Sequence, residues 1–297
     1  MSIPEFRTCS DGNRRIEIES ISELVDIAFQ KGNANCEANT MRIDNYYIDR
    51  TKDSHGGHSA AGMKKWFNRT TEELKQQLED PDNDLVWRVE ELKQEIETEI
   101  EIPAGKRRVV RRRLEFGDEF DETAYVQRDP DGWSEVRTEA QQKKVISIAV
   151  NSSVLGHRKP EAVYYRGAAA AALADLLNDL GYAVEITSFR CVEHLERRSS
   201  EGVLHIAKFP VKHADAPLDI SLVSFVLSEI GFYRGVVMPA TARMITKTIG
   251  SGNGSTRLLP DEDKDNFDIV FDSDLTSKAA AVSKVKEYVK RYDTDKE

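Results

Sequence analysis

Cysteine is scarce and scattered: Cys9, Cys36 and Cys191 are the only three in 297 residues. They form neither a paired metal-ligand spacing nor a secretory disulfide framework, so reduced thiols are expected. No apolar run is long enough to span a bilayer, and the opening MSIPEFRTCSDGNRRIE has no apolar signal core. A cytoplasmic protein is the expectation, and the chain is long enough to bury a core without staples. Excess positive charge is also missing. The formal net charge is −10 with 32% charged residues, which argues against coating nucleic acid by bulk charge. Several catalytic signatures are absent as well. No Ser sits in a G-x-S-x-G elbow, and Gly250-Ser-Gly-Asn-Gly-Ser-Thr256 lacks the Lys and the glycine spacing of a phosphate loop. A flexible surface loop is the reading there. His55-Gly-Gly-His58 has no neighbouring Cys or third His, and reads as a loop rather than a metal pair. Cys191 and His194, three apart in an apparent exposed connection over Arg190 to Glu201, lack an orienting partner for nucleophilic catalysis.

The most organised stretch runs from Lys144 to Phe189. Val145 to Val150 is a β-branched run suited to a central strand covered on both faces. Tyr164 to Leu180 is helical: Ala168 to Ala172 have the best intrinsic propensity, and Leu173, Leu176, Leu177 and Leu180 make one apolar stripe. Gly181 suits a left-handed C-cap, and Val184 to Phe189 returns as the next strand. A strand, a helix and a second strand imply a right-handed parallel crossover.

Before this lies a region of short elements. Arg15 to Glu19 alternates, Ser20-x-x-Glu23 resembles a capping box for a helix over Ser22 to Lys31, and Asn45 to Ile48 reads as an edge strand. Two helices follow, one within Met63 to Asp80 and one over Asp84 to Glu101, the latter with Leu85, Val86, Val89, Leu92 and Ile96 on one face. Pro103-Ala-Gly105 marks a boundary, giving an N-terminal region 1–105 and a domain 106–297. Lys106, Arg107, Arg108, Arg111, Arg112 and Arg113 put six positive charges into eight residues. A nucleic-acid patch is one reading. The other is a strand neutralised by Glu115, Asp118, Glu119, Asp121 and Glu122, which the lack of interleaved aromatics supports. Gly132-Trp133 reads as a turn.

After Phe189, Val203 to Lys212 is strand-like and could pair with 184–189 across a hairpin-like excursion. Leu218 to Ile230 is a mostly buried helix closed by Gly231, Gly235 to Met238 a buried strand, and the run IGSGNGSTRLLPDEDKDN a polar loop. Phe267 to Phe271 is a last strand and Ser277 to Tyr292 a C-terminal helix.

In open sheets, ligands meet the loops at the carboxyl ends of strands, which points to Asn151-Ser152-Ser153. The strand ISIAVNSSV, the helix RGAAAAALADLL and the strand GYAVEITSF together resemble a von Willebrand factor A type domain of the cobaltochelatase-subunit kind. With GDEFDETAYV and PLDISLVSFVLSEIGFYRG, residues 110 to 240 are also similar to uncharacterised proteins of tailed viruses and related elements. The resemblance implies a three-layer, mostly parallel α/β domain and a non-enzymatic module that binds a protein, such as an AAA ATPase, through Asn151, Ser152, Ser153 and Asp219. The family's magnesium site needs an Asp at the strand end, followed by serines. One alignment puts Ala149 at that Asp, with Asn151 and Ser153 at the serines; a shift of two puts Asn151 there. Neither supplies the carboxylate, so magnesium is disfavoured and no cofactor is expected. A phosphate- or nucleotide-handling enzyme using the glycine loop and Asn151 to Ser153 is the remaining alternative.

Overall fold

A computed structural model describes residues 3–30, 71–81, 83–99, 109–114, 119–120, 133–138, 144–154, 161–195, 202–245, 255–272 and 275–293. Cys36, Asn45 to Ile48, His55, His58 and Lys106 to Arg108 lie outside these residues.

The chain opens with β1 (Arg7–Thr8) and β2 (Arg14–Glu17), an antiparallel pair. Helix α1 (Ile21–Phe29) follows. Ser20 caps it by accepting the Glu23 N–H at 3.1 Å, while the Glu23 carboxylate reaches back to the Glu19 N–H at 2.8 Å. Orphan donors at the helix start are thereby satisfied. Helices α2 (Thr71–Glu79) and α3 (Asn83–Glu99) come next, with Leu85, Val89, Leu92 and Ile96 buried along one face of α3. A separate small sheet is formed by β3 (Val109–Leu114), β4 (Glu119–Phe120) and β5 (Trp133–Thr138) in the order β3-β5-β4. Trp133 thus begins a strand, where the sequence suggested a turn.

Strand β6 (Val145–Asn151) leads to α4 (Glu161–Asp179) and then to β7 (Ala183–Leu195), which pairs parallel to β6 in the register expected of a crossover. Gly181 has φ +92° between α4 and β7, a conformation that costs a glycine little. β8 (Gly202–Lys212) returns antiparallel to β7. The residues Arg190 to Leu195 are therefore a continuation of β7, not an exposed connection. Backbone pairing to β8 satisfies polar groups that a loop would leave to water.

α5 (Ile220–Ser228) is followed by α6 (Ile230–Phe232), a π-helical turn (Tyr233–Val237) and α7 (Met238–Met244). The strand expected over Gly235 to Met238 is thus helical. A short apolar run carries no period that separates a buried strand from a buried helix, and residues 230–244 are buried throughout. No single helix among the described residues is long and apolar enough to cross a membrane; the bent pair Ile220–Ser228 and Ile230–Met244 qualifies only by length and composition. β9 (Ser255–Thr256) pairs with β7, α8 (Asp261–Lys264) follows, β10 (Ile269–Phe271) pairs parallel with β6, and α9 (Lys278–Asp293) closes the chain.

The main sheet runs β1-β2-β8-β7-β6-β10, with β9 off this path and paired to the far part of β7. It is mixed rather than mostly parallel: β7 with β8, β1 with β2 and β7 with β9 are antiparallel. Its two faces differ. Ile146, Ile148, Val150, Val184, Ile186 and Phe209 join one core with residues of α1, α3, α4, α5, α7 and α9. Ala149, Phe189, Cys191 and Ile206 point the other way and are capped by Leu259 with Phe267. Among the described residues that second face carries only the strap 255–267, with its one-turn α8, so the expected three layers reduce to two plus a strap.

The division at residue 105 also changes. β2 pairs in parallel with β8, and Ile16, Leu24 and Leu85 belong to the same core as Ile146. Arg15 then ties this N-terminal strand to the strap, bonding Asp11, Glu262 and Asp263 at 2.7, 2.6 and 2.8 Å, while Lys208 meets Asp263 at 2.8 Å. The Asp263 carboxylate would be raised by burial. Its bonds from Arg15 and Lys208 outweigh that effect and leave it below the ordinary value.

Candidate functional site

The carboxyl end of β6 lies between β7 and β10 and continues into Ser152 and Ser153. Asn151, Ser152 and Ser153 are 1%, 3% and 0% exposed, so their groups are not displayed to a partner as the sequence suggested. Each is turned inward by a hydrogen bond. Ser152 donates its N–H and its hydroxyl to the Phe189 carbonyl at 2.8 and 2.9 Å. The Ser153 hydroxyl accepts the Cys191 N–H at 3.0 Å, and the Ser153 N–H donates to Asn151 Oδ1 at 2.7 Å. Burial without such partners would cost ~1–3 kcal/mol per group. The loop therefore staples the end of β6 to the extension of β7.

Asn151 completes the arrangement. Its Nδ2 donates to Asp272 Oδ1 at 2.7 Å, just past β10, and Asp272 Oδ2 accepts the Leu259 N–H at 2.6 Å. Burial raises the Asp272 carboxylate above its ordinary value, against the lowering effect of these two bonds. Ala149 is fully buried under the strap and can offer no ligand, which leaves Asn151 as the strand-end residue. Among the described residues no group of three His, Cys, Asp or Glu is placed to hold a metal ion. Asp219 is not brought to this place. It follows β8, whose antiparallel course ends at the amino side of β6 and β7, and it is the N-cap of α5, accepting the Leu222 N–H at 3.0 Å.

Two features were not visible in the sequence. The first is a set of buried basic side chains on the helix-covered face beyond the end of β6. Arg166 donates to the Ser153 carbonyl at 2.8 Å, and Arg190 to the Thr241 hydroxyl at 2.9 Å. The His194 and His205 rings lie 5.2 Å apart, with Arg14 3.4 Å from His205 Nε2. Period-two alternation through Ser188, Arg190, Val192 and His194 was the available signal, but it reads as a polar loop until the partner strand is known. The second is a groove of about 550 Å³ on the opposite face, lined by Glu17, Glu19, Glu185, Thr187, Pro210 and Phe267 among others. Its carboxylates come from segments 166 to 168 residues apart, Glu17 and Glu19 on one and Glu185 on the other, so no local motif announces it.

Of the basic run, Arg111, Arg112 and Arg113 lie in β3, where the register sets Arg112 opposite Glu135. Cys191 is buried with its thiol pushed up to about 12, chiefly by burial, so it is protonated and a poor nucleophile at neutral pH.

No curated protein and no solved structure matches the chain. Residues 8–296 match the family described as "Domain of unknown function (DUF7192)", and the chain belongs to that family.

Proposed function

We propose that this chain is a non-enzymatic protein-interaction module built on a von Willebrand factor A-like core. The strand order β8-β7-β6-β10 supports that reading, with β6 between two parallel neighbours, a Ser-bearing loop at its end and Asp272 at the end of β10. The observation that carries it is the bond between Asn151 and Asp272. A cation bridging a strand-end carboxylate to the serines would be the docking element of a metal-dependent relative. Here a neutral amide donates to Asp272 instead, and the hydroxyls are spent on backbone. The loop then acts as a positioning element, and the partner meets another surface. By resemblance that partner is a protein such as an AAA ATPase, encountered in the cytoplasm of a cell that hosts a virus or mobile element.

The test is purification of the chain from its native host at moderate salt. A second protein at near-equal stoichiometry is expected, together with no heat of magnesium binding by calorimetry. Recovery of the chain alone, or with nucleic acid in place of protein, would overturn the reading.

A further inference from the structure

We infer that the groove between the end of β2 and the strap is the docking surface, and that it takes an extended segment of the protein partner bearing lysine or arginine at alternate positions. This rests on the interaction-module reading above. Glu17 and Glu19 are exposed and Glu185 is half-buried. Among the described residues none of these three carboxylates enters an ion pair. The cation beside them, Lys208, is committed to Asp263 at 2.8 Å on the strap. The groove therefore presents negative charge that no described residue pairs, in a chain whose net charge is already −10. Such a field steers cations inward and repels phosphates, which excludes nucleic acid from this surface.

Shape narrows the occupant. Glu17 is the last residue of β2 and Glu19 lies two beyond it, so an extended course sets the pair about 7 Å apart on one side of the chain. Alternate residues of an extended peptide have the same repeat. Pro210 and Phe267 supply apolar surface against which the methylene stems of lysine or arginine pack while their heads meet carboxylate. A volume of about 550 Å³ admits a few side chains and not a folded domain, so the contact is with a segment.

The experiment is carbodiimide cross-linking of the complex purified from the native host, with the joined peptides identified by mass spectrometry. This reagent couples carboxylates to amines already in contact. Cross-links from Glu17, Glu19 or Glu185 to partner lysines are expected. The variant Glu17→Gln/Glu19→Gln/Glu185→Gln should weaken partner binding about tenfold, with a steeper loss in salt for the wild type than for the variant. A control with the same charge change on exposed acids elsewhere, Glu79→Gln/Glu90→Gln/Asp215→Asn, should alter binding less than about twofold. Equal Tm values for the three proteins will establish that folding is intact. Cross-links mapping elsewhere, or equal effects of the two triple variants, would overturn the groove while leaving an interaction module in place. Absence of any stoichiometric partner for the wild type would overturn both.

Discussion

The helix-covered face and the strap-covered face of the main sheet bury the same strands by different means. On the first, Ala168 to Ala172 are all fully buried, and Gly167 lies so near the Leu227 carbonyl that a Cβ would overlap it. Backbones approach closely there, and the packing is large, apolar and continuous from α1 to α9. On the second, one leucine and a few neighbours close a small apolar patch, and the remaining attachment is polar: β9 pairs with β7, Asp272 accepts the Leu259 N–H, and Arg15 and Lys208 form ion pairs with Asp263. Apolar area scales with stability at ~25 cal/mol per Å², whereas ion pairs near the surface contribute little each. The first face therefore sets global stability, and the second sets the position of a strap that can loosen by itself.

Substitutions can break this contrast. Ala169→Asp puts an unpaired carboxylate into the helix-covered core and should cost about 3 kcal/mol or more, read as loss of the cooperative thermal transition. A normal melt would mean that the packing between α4 and the sheet is not what holds the protein. Leu259→Ala removes the side chain that caps the second face, at about 2–3 kcal/mol. Its loss should register first as faster amide exchange over 255–267, ahead of the rest of the sheet; uniform acceleration would make the two faces one cooperative unit. Asp263→Asn should weaken the strap by about 2 kcal/mol, because Arg15 and Lys208 lose a buried negative charge and one of the two oxygens they share, and the same exchange measurement reads it.

Acidity sharpens the comparison, since both informative carboxylates touch the strap. Asp272 is raised, so its contribution is present below the ordinary Asp value of 3.8 and is lost as pH rises through its higher folded value. Asp263 is lowered, so its contribution is present above 3.8 and is lost as pH falls through its lower folded value. Strap protection should therefore rise as pH is lowered from neutrality toward 3.8, then fall below it. Asp272→Asn should remove the rise and Asp263→Asn the fall. A monotonic profile for the wild type would contradict this assignment. The smallest effect is chemical: in a Cys9→Ser/Cys36→Ser background, Cys191 should react with a thiol reagent only at the rate at which the strap opens, and Leu259→Ala should speed that reaction.

Much of the helix-covered face was legible. The β6-α4-β7 unit follows from β-branched runs, an alanine block and Gly181, all of them local signals. The capping box at Ser20 and the return of β8 along β7 are equally local. What escaped depends on distant pairing. β2 pairs with β8 at Arg14 and His205, 191 residues apart, so the N-terminal region could not be assigned to the main sheet by composition. The strap reads as loop chemistry because a single leucine, a two-residue strand and a few polar and charged contacts with distant residues specify where it lies. Asn151 to Ser153 looked exposed for a similar reason: small polar residues at a strand end are ordinarily solvated, and the partners that bury them come from Phe189, Cys191 and Asp272.

The place of β2 in the sheet also fixes an order of assembly. The strand Arg14–Glu17 is synthesised well before its neighbour Gly202–Lys212. Closing a chain of 191 residues costs about 4.6 kcal/mol in loop entropy. That cost is offset only once β6, β7 and β8 have formed a sheet for β2 to join. The strand Arg14–Glu17 therefore becomes structured only after β8 has been made, and until β2 joins it that edge of β8 stays uncovered. Nascent chains halted after Lys212 should show Arg14–Glu17 gaining protection only after the β7 and β8 amides have done so.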